Sequence, residues 1–322
     1  MQRLFLVLCV AALGCTDELP DGGASESDNA TTPASTRNVA FGINADYFDD
    51  FVAAVPGSQG YRGYARKPTD TYPDGFVPAT WPTPAGVTAV FTLYLEHDAL
   101  LAGKFDQQLL DLFETAPAGS YVTLWQEVGN LDFSQWGVFP SNIASMNHHV
   151  QRLIDNNRGG RGTDQANHVK FGPIIIGVGA INAIDGSEYS KLKALMEGGP
   201  YDFYGLDIYD GTKGWLRGGD GFVSRDKIDE KMGYFRTMAQ QLSGREDPEI
   251  VIGECNSPKA NNRAGMFRFL GEWMNGHHGT VMLTHYDPSG PASGPWLPCD
   301  PEHANGCATI EALDALQARY GK

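Results

Sequence analysis

Two glutamates in this chain stand where a charge is hard to explain by packing alone. The run Tyr121-Val122-Thr123-Leu124-Trp125-Gln126-Glu127 ends in one, and Glu249-Ile250-Val251-Ile252-Gly253-Glu254 ends in the other. A carboxylate directly after an apolar strand is unfavourable unless it is paired or used. Two carboxylates brought to one site can divide the cleavage of a glycosidic bond between them. One protonates the leaving oxygen, and the other attacks the sugar or activates water. The competing reading gives each glutamate a structural ion pair with an arginine of the fold.

The elements that must position these residues are legible as an alternation. Short apolar runs predict strands at Val39–Ile43, Tyr61–Ala65, Val87–Tyr94, Tyr121–Trp125, Val169–Ile176, Phe203–Ile208, Ile250–Gly253 and Val281–His285. Helical stripes fall between or after them. They are Phe105, Leu109, Leu112 and Phe113; Ile143, Met146, Val150, Leu153 and Ile154; Ile228, Met232, Phe235, Ala239 and Leu242; Met266, Leu270 and Trp273; and Ile310, Leu313, Leu316 and Tyr320. Ser141 or Asn142 is the expected cap of the second stripe. Eight strands with intervening helices predict an α/β fold, a single (β/α)8 barrel, with Glu127 after strand four and Glu254 after strand seven. Active sites of such barrels sit where the strands end, so both side chains would enter one bowl. An open nucleotide-binding sheet needs a glycine-rich turn after its first strand, and Asn44-Ala45-Asp46 is none. Gly177-Val178-Gly179 fails as well, because Asn182 occupies the place of the third glycine.

At these residues the chain resembles the clan A retaining glycoside hydrolases, and most of all their β-mannanase family, glycoside hydrolase family 26. Gln126-Glu127-Val128-Gly129-Asn130, with Trp136-Gly137 following, is similar to that family's acid/base segment. Asp202-Phe203-Tyr204-Gly205-Leu206-Asp207-Ile208-Tyr209 resembles its sixth strand, and Ile252-Gly253-Glu254 its nucleophile strand. The resemblance implies that Glu127 is the acid/base, Glu254 the nucleophile, and Tyr209 a hydrogen-bond donor that holds the nucleophile. There is one departure. The family carries His before its acid/base and other clan members carry Asn, whereas this chain has Gln126, a longer donor to a sugar hydroxyl.

Other residues join this reading with their plainer alternatives beside them. Trp136, Trp215 and Trp296 are candidate platforms for sugar rings; for Trp215 and Trp296, set among Gly and Pro, a structural loop role is the alternative. Trp125 is expected in the core. Asn130, Asp207 and His285 could bond sugar hydroxyls, against an internal ion pair for Asp207 and a satisfied barrel histidine for His285. The adjacent pairs His148-His149 and His277-His278 do not face each other on a helix. No His-Glu-x-x-His, Cys-x-x-Cys or Gly-x-Ser-x-Gly occurs. No metal or organic cofactor is expected.

The chain's 322 residues carry a formal charge of -15 and a pI near 4.8, which argues against nucleic acid or an anionic membrane surface as a partner. At its start, Arg3 precedes the apolar run Leu4–Leu13, too short to span a bilayer but suited to a signal peptide. Ala12-Leu13-Gly14-Cys15 resembles a bacterial lipoprotein cleavage box, which implies lipidation of Cys15; ordinary cleavage near Ala11 or Ala12 is the alternative. Residues 15–37, rich in Pro, Gly, Ser, Thr and acids, read as a flexible tether, and the barrel occupies 38–322. In an exported chain Cys299 and Cys307 are the nearby pair expected to form a disulfide, with Cys255 left as a buried free thiol.

The expectation is therefore an exported, lipid-anchored, monomeric hydrolase of a β-linked polysaccharide (mannan, xylan or β-glucan), without nucleic-acid partners. The rival is an inactive carbohydrate-binding protein on the same barrel. Deleting residues 1–37 should leave the cooperative thermal melt intact, since that segment has no apolar periodicity; a truncated chain without such a melt would place the segment inside the domain.

Overall fold

A computed structural model describes residues 39–126, 128, 133–158, 169–176, 189–210, 216–257, 260–284 and 304–321. Among them, nine parallel strands form one sheet: β1 (Ala40–Asn44), β2 (Gly60–Tyr64), β3 (Thr88–Leu93), β4 (Ser120–Leu124), β5 (Val169–Phe171), β6 (Ile174–Ile176), β7 (Phe203–Tyr209), β8 (Glu249–Asn256) and β9 (Gly279–Thr284). Their order is β5-β4-β3-β2-β1-β9-β8-β7-β6. The two ends of that order are halves of one run, interrupted at Gly172-Pro173. Its first half pairs with β4 and its second with β7. The Gly172 N–H donates to Val122 O at 3.2 Å, and the Gly205 N–H to Pro173 O at 2.8 Å. Pro173 has no N–H to extend the ladder on β4. The strand therefore changes partner at this point, and the sheet closes as an eight-stranded (β/α)8 barrel.

Alternation along the strands separates two apolar layers. Ala40, Val90, Tyr121, Ile174, Phe203, Val251, Val281 and Leu283 form a cluster inside the barrel. Their sequence neighbours Phe41, Ala89, Phe91, Val122, Ile175, Tyr204, Ile250, Ile252 and Met282 belong to the larger layer between sheet and helices. The helices are α1 (Phe48–Ala54), α2 (His97–Leu101), α3 (Asp106–Glu114), α4 (Ile143–Asn156), α5 (Tyr189–Met196), α6 (Arg225–Ser243), α7 (Ala260–Gly276) and α8 (Ala304–Tyr320). The expected apolar stripes of α3, α4 and α6 are the buried faces of those helices. Asn142 stands at the N-cap of α4 without a side-chain cap bond, because its Oδ1 accepts from the Phe139 N–H and its Nδ2 donates to Gly137 O.

Between β2 and β3 the chain forms no helix. Residues 65–87 carry Pro68, Pro73, Pro78, Pro82 and Pro84, a density that breaks any helical ladder. They run beside α3 instead, and a cavity of about 540 Å³ opens between residues 71–79 and that helix, away from Glu254.

β8 carries a bulge. Leu206 pairs with Ile252, but the next residue, Asp207, pairs with Glu254, so Gly253 is the extra residue. A Cβ there would lie 2.5 Å from Asp207 Oδ1 and 3.0 Å from Ile174 Cδ1. Gly253→Ala should therefore lower the urea midpoint, equivalent to about 1–3 kcal/mol of overpacking. Gly233→Ala, on α6 with nothing within 4 Å of the added Cβ, should raise stability by about 0.5–1 kcal/mol. Equal midpoints for the two variants would contradict the assignment of the bulge.

Candidate functional site

A strictly alternating β8 would carry Val251 and Gly253 inward and turn Glu254 outward, toward the helices. The extra residue at Gly253 reverses that parity. Glu254 joins Asp207 on the inner face, and Cys255 passes to the outer layer, where it is buried, free, and donates its S–H to Leu283 O at 3.1 Å. A second reversal occurs at the end of β4. Trp125 takes φ +40, a left-handed conformation that is rare for a bulky side chain. Its indole packs outward on Tyr94, Phe133 and Trp136 and donates to Leu95 O at 2.6 Å. Gln126, which would otherwise point out, reaches into the barrel. Both glutamate-bearing strands thus depart from regular geometry at their ends.

Glu254 is 2% exposed, and its carboxylate is surrounded by donors. Tyr64 and Gln126 donate to Oε1, the amide from 2.9 Å, and Tyr209 donates to Oε2. Arg62 Nε stands 3.9 Å from Oε1, a positive charge that favours the ionised carboxylate. Burial works against the Arg62 charge, but Tyr64, Asp207 and Glu254 together outweigh it and hold its pKa above the ordinary arginine value. Hydrogen bonds to charged groups contribute roughly 1.5–3 kcal/mol each, so this many partners can offset the cost of a buried carboxylate.

Glu249, at the opposite end of β8, shows what the plain ion-pair reading looks like. Lys170 Nζ donates to both of its oxygens, at 2.8 and 2.7 Å, and Tyr121 donates to one of them. Glu254 instead faces neutral amide and phenol donors at the C-terminal mouth of the barrel, with its arginine at longer range.

Of the residues singled out from sequence, the fold brings Gln126, Tyr209 and Glu254 together. Asp207 is 0% exposed beneath them, where its charge acts on Arg62; this burial favours an internal role over contact with sugar. Trp136 lies half-buried, its ring centroid 5.2 Å from that of Trp125. Glu127, Asn130, Trp215, His285 and Trp296 lie outside the described residues, as do Cys15, Cys299 and Cys307. Sequence reasoning missed Arg62, Tyr64 and Thr92, the last of which donates to Gln126 Oε1 at 3.1 Å. The available signal was a charged residue inside the short strand run Gly60-Tyr61-Arg62-Gly63-Tyr64. Among the described residues, no group of three His, Cys, Asp or Glu side chains could hold a metal ion.

No protein-family model and no curated protein sequence matches the chain. Solved structures resemble it in fold. Thermotoga maritima Cel5A, in complex with mannotriose, aligns with a TM-score of 0.50 at 12% identity over 86% of this chain and 98% of its own. A tri-modular GH5 (subfamily 4) endo-β-1,4-glucanase from Bacillus licheniformis, complexed with cellotetraose, aligns with a TM-score of 0.50 at 13% identity, over 88% of this chain and 61% of its own. A GH128 (subgroup VII) oligosaccharide-binding protein from Trichoderma gamsii gives 0.49 at 12% identity, over 91% and 100%. The first two likenesses show that the chain has the barrel fold of these proteins.

The phenols around the carboxylates make the barrel sensitive to alkali. Burial first, and then the charge of Glu254, pushes the Tyr64 pKa well above the ordinary 10.0. Burial and Glu249 do the same to Tyr121. A raised folded pKa contributes stability that is present below the unfolded value and lost as pH rises through the folded one. The urea midpoint should fall once the pH passes about 10, and phenolate absorbance from these tyrosines should appear only as the fold is lost. Tyr64→Phe should soften that decline. Reversible ionisation of Tyr64 near pH 10 in the folded protein would contradict the geometry.

Proposed function

We propose that this protein is a retaining glycoside hydrolase acting on a β-linked polysaccharide of the mannan, xylan or β-glucan class. The observation that carries the reading is the Glu254 carboxylate, buried at the barrel mouth and held on both oxygens by oriented donors. In the proposed reaction an oxygen of Glu254 attacks the anomeric carbon, and the bond to the leaving oxygen breaks as Glu127 protonates that oxygen. Glu127 then takes a proton from water, which attacks the same carbon and releases Glu254 from the ester. The negative charge of Glu254 raises the pKa of a neighbouring acid in the first step, and ester formation removes that charge for the second.

The acid/base role of Glu127 rests on its place in the sequence, directly after Gln126. Specificity for mannan is the finer part of the proposal, drawn from the likeness of the acid/base and nucleophile segments to family 26. Trp136, with Trp215, Trp296, Asn130 and His285, is proposed to line the substrate path. Export, attachment through a lipidated Cys15, the Cys299–Cys307 disulfide and a monomeric state complete the reading.

Product stereochemistry tests the roles of the two glutamates. With an aryl β-glycoside, Glu127→Ala should form the intermediate and accumulate it for want of a base. Azide needs no base, so it should restore turnover and give a glycosyl azide of retained β configuration. With Glu254→Ala, azide should attack from the opposite face and give the α product. The reverse pattern would exchange the roles, and wild-type activity in both variants would end the hydrolase reading. A wild-type protein that binds these glycans without releasing reducing ends would instead be the carbohydrate-binding barrel.

A further inference from the structure

We infer that Gln126 is a positioning residue that holds and tunes the Glu254 carboxylate. The inference deepens the hydrolase reading and rests on it for its kinetic consequences. A glutamine amide has two acceptor sites on its oxygen and two donors on its nitrogen. Here the oxygen accepts from Arg62 Nη2 and from Thr92 Oγ1 at 3.1 Å, while Nε2 donates to Glu254 Oε1 at 2.9 Å. The partners dictate this orientation. Guanidinium can only donate and an ionised carboxylate can only accept, so a flipped amide would set donor against donor and acceptor against acceptor.

The amide therefore bridges strand ends across the bowl. Arg62 on β2 and Thr92 on β3 fix its oxygen, and its nitrogen fixes a carboxylate on β8. Two features make the span possible. Trp125 at φ +40 turns the next residue inward, and glutamine has one methylene more than asparagine. Among the described residues, the titratable and charged groups around Glu254 include Arg62 and Tyr64 from β2, Asp207 and Tyr209 from β7, and Cys255 on its own strand. Gln126 differs from these groups in having no titratable proton, and its amide donates to the carboxylate without adding charge.

Gln126→Glu keeps the shape of the side chain but replaces the donor with a second carboxylate. Two carboxyls at hydrogen-bond distance cannot both ionise freely, so Glu254 should lose its proton at higher pH. The acid limb of the kcat/KM profile should move up by about one pH unit or more, with KM changed by less than about twofold. Gln126→Asn, too short for the bridge, should lower kcat roughly tenfold or more at a similar KM. A raised KM with kcat and the acid limb unchanged in both variants would overturn the inference and make Gln126 a substrate ligand. If Gln126→Glu does not fold, the split between kcat and KM in Gln126→Asn decides alone.

A second readout does not need turnover. In protein labelled with 13C at the glutamate carboxyls, the Glu254 resonance, assigned with Glu254→Gln, should titrate at higher pH in Gln126→Glu than in wild type. An unmoved midpoint would overturn the inference whatever the kinetics show. A shifted midpoint in a protein that cleaves no glycoside would uphold the inference while the hydrolase reading fell.

Discussion

The molecule is organised around one demanding interaction, a carboxylate held inside the mouth of a barrel. A buried carboxylate is expensive unless its oxygens are satisfied and an opposite charge stands near. Glu254 meets that requirement with donors from β2, β7 and the end of β4, and with Arg62 at 3.9 Å. These partners arrive from three strands, β2, β4 and β7, which a closed sheet gathers around one point. The same requirement accounts for Arg62, whose own buried charge persists because Glu254, Asp207 and the Tyr64 phenol surround it.

Regular strands would not have produced this arrangement. Period-two alternation places Glu254 and Gln126 on the face that meets the helices, and in each case one local irregularity inverts the parity. At β8 the irregularity is an inserted residue, which must be glycine because a Cβ would run into Asp207 and Ile174. At β4 it is the positive φ of Trp125, held in place by an indole bond to Leu95 O and by edge-on and tilted contacts with three aromatic rings. Left-handed backbone at a bulky residue persists only where its surroundings impose it. Here the aromatic packing outside the barrel imposes a conformation whose benefit lies inside it.

The two ends of β8 carry carboxylates in contrasting settings. Glu249 at its start is neutralised by Lys170 and capped by Tyr121, a closed arrangement that ties β4, β5 and β8 together. Glu254 at its end is held by amide and phenol donors, with the Arg62 guanidinium at 3.9 Å. That contrast, between a neutralised acid and a poised one, separates a structural carboxylate from a candidate nucleophile on a single strand.

How far the chain could be read without its structure follows from the range of each interaction. Strand and helix order was legible because the alternation of short apolar runs with helical stripes is local, and it placed Glu127 and Glu254 after strands four and seven of an eight-stranded barrel. Tyr209 was legible through the resemblance of its strand. The missing helix between β2 and β3 also has a local cause, the five prolines of residues 65–87. Arg62, Tyr64 and Thr92 were not legible, because what matters about them is which strands become neighbours when the sheet closes through Gly172-Pro173. Which face Glu254 and Gln126 occupy was decided only by the tertiary structure. A bulge is defined by pairing against a second strand, and a positive φ by the packing that enforces it, so neither is written in the residues next to it.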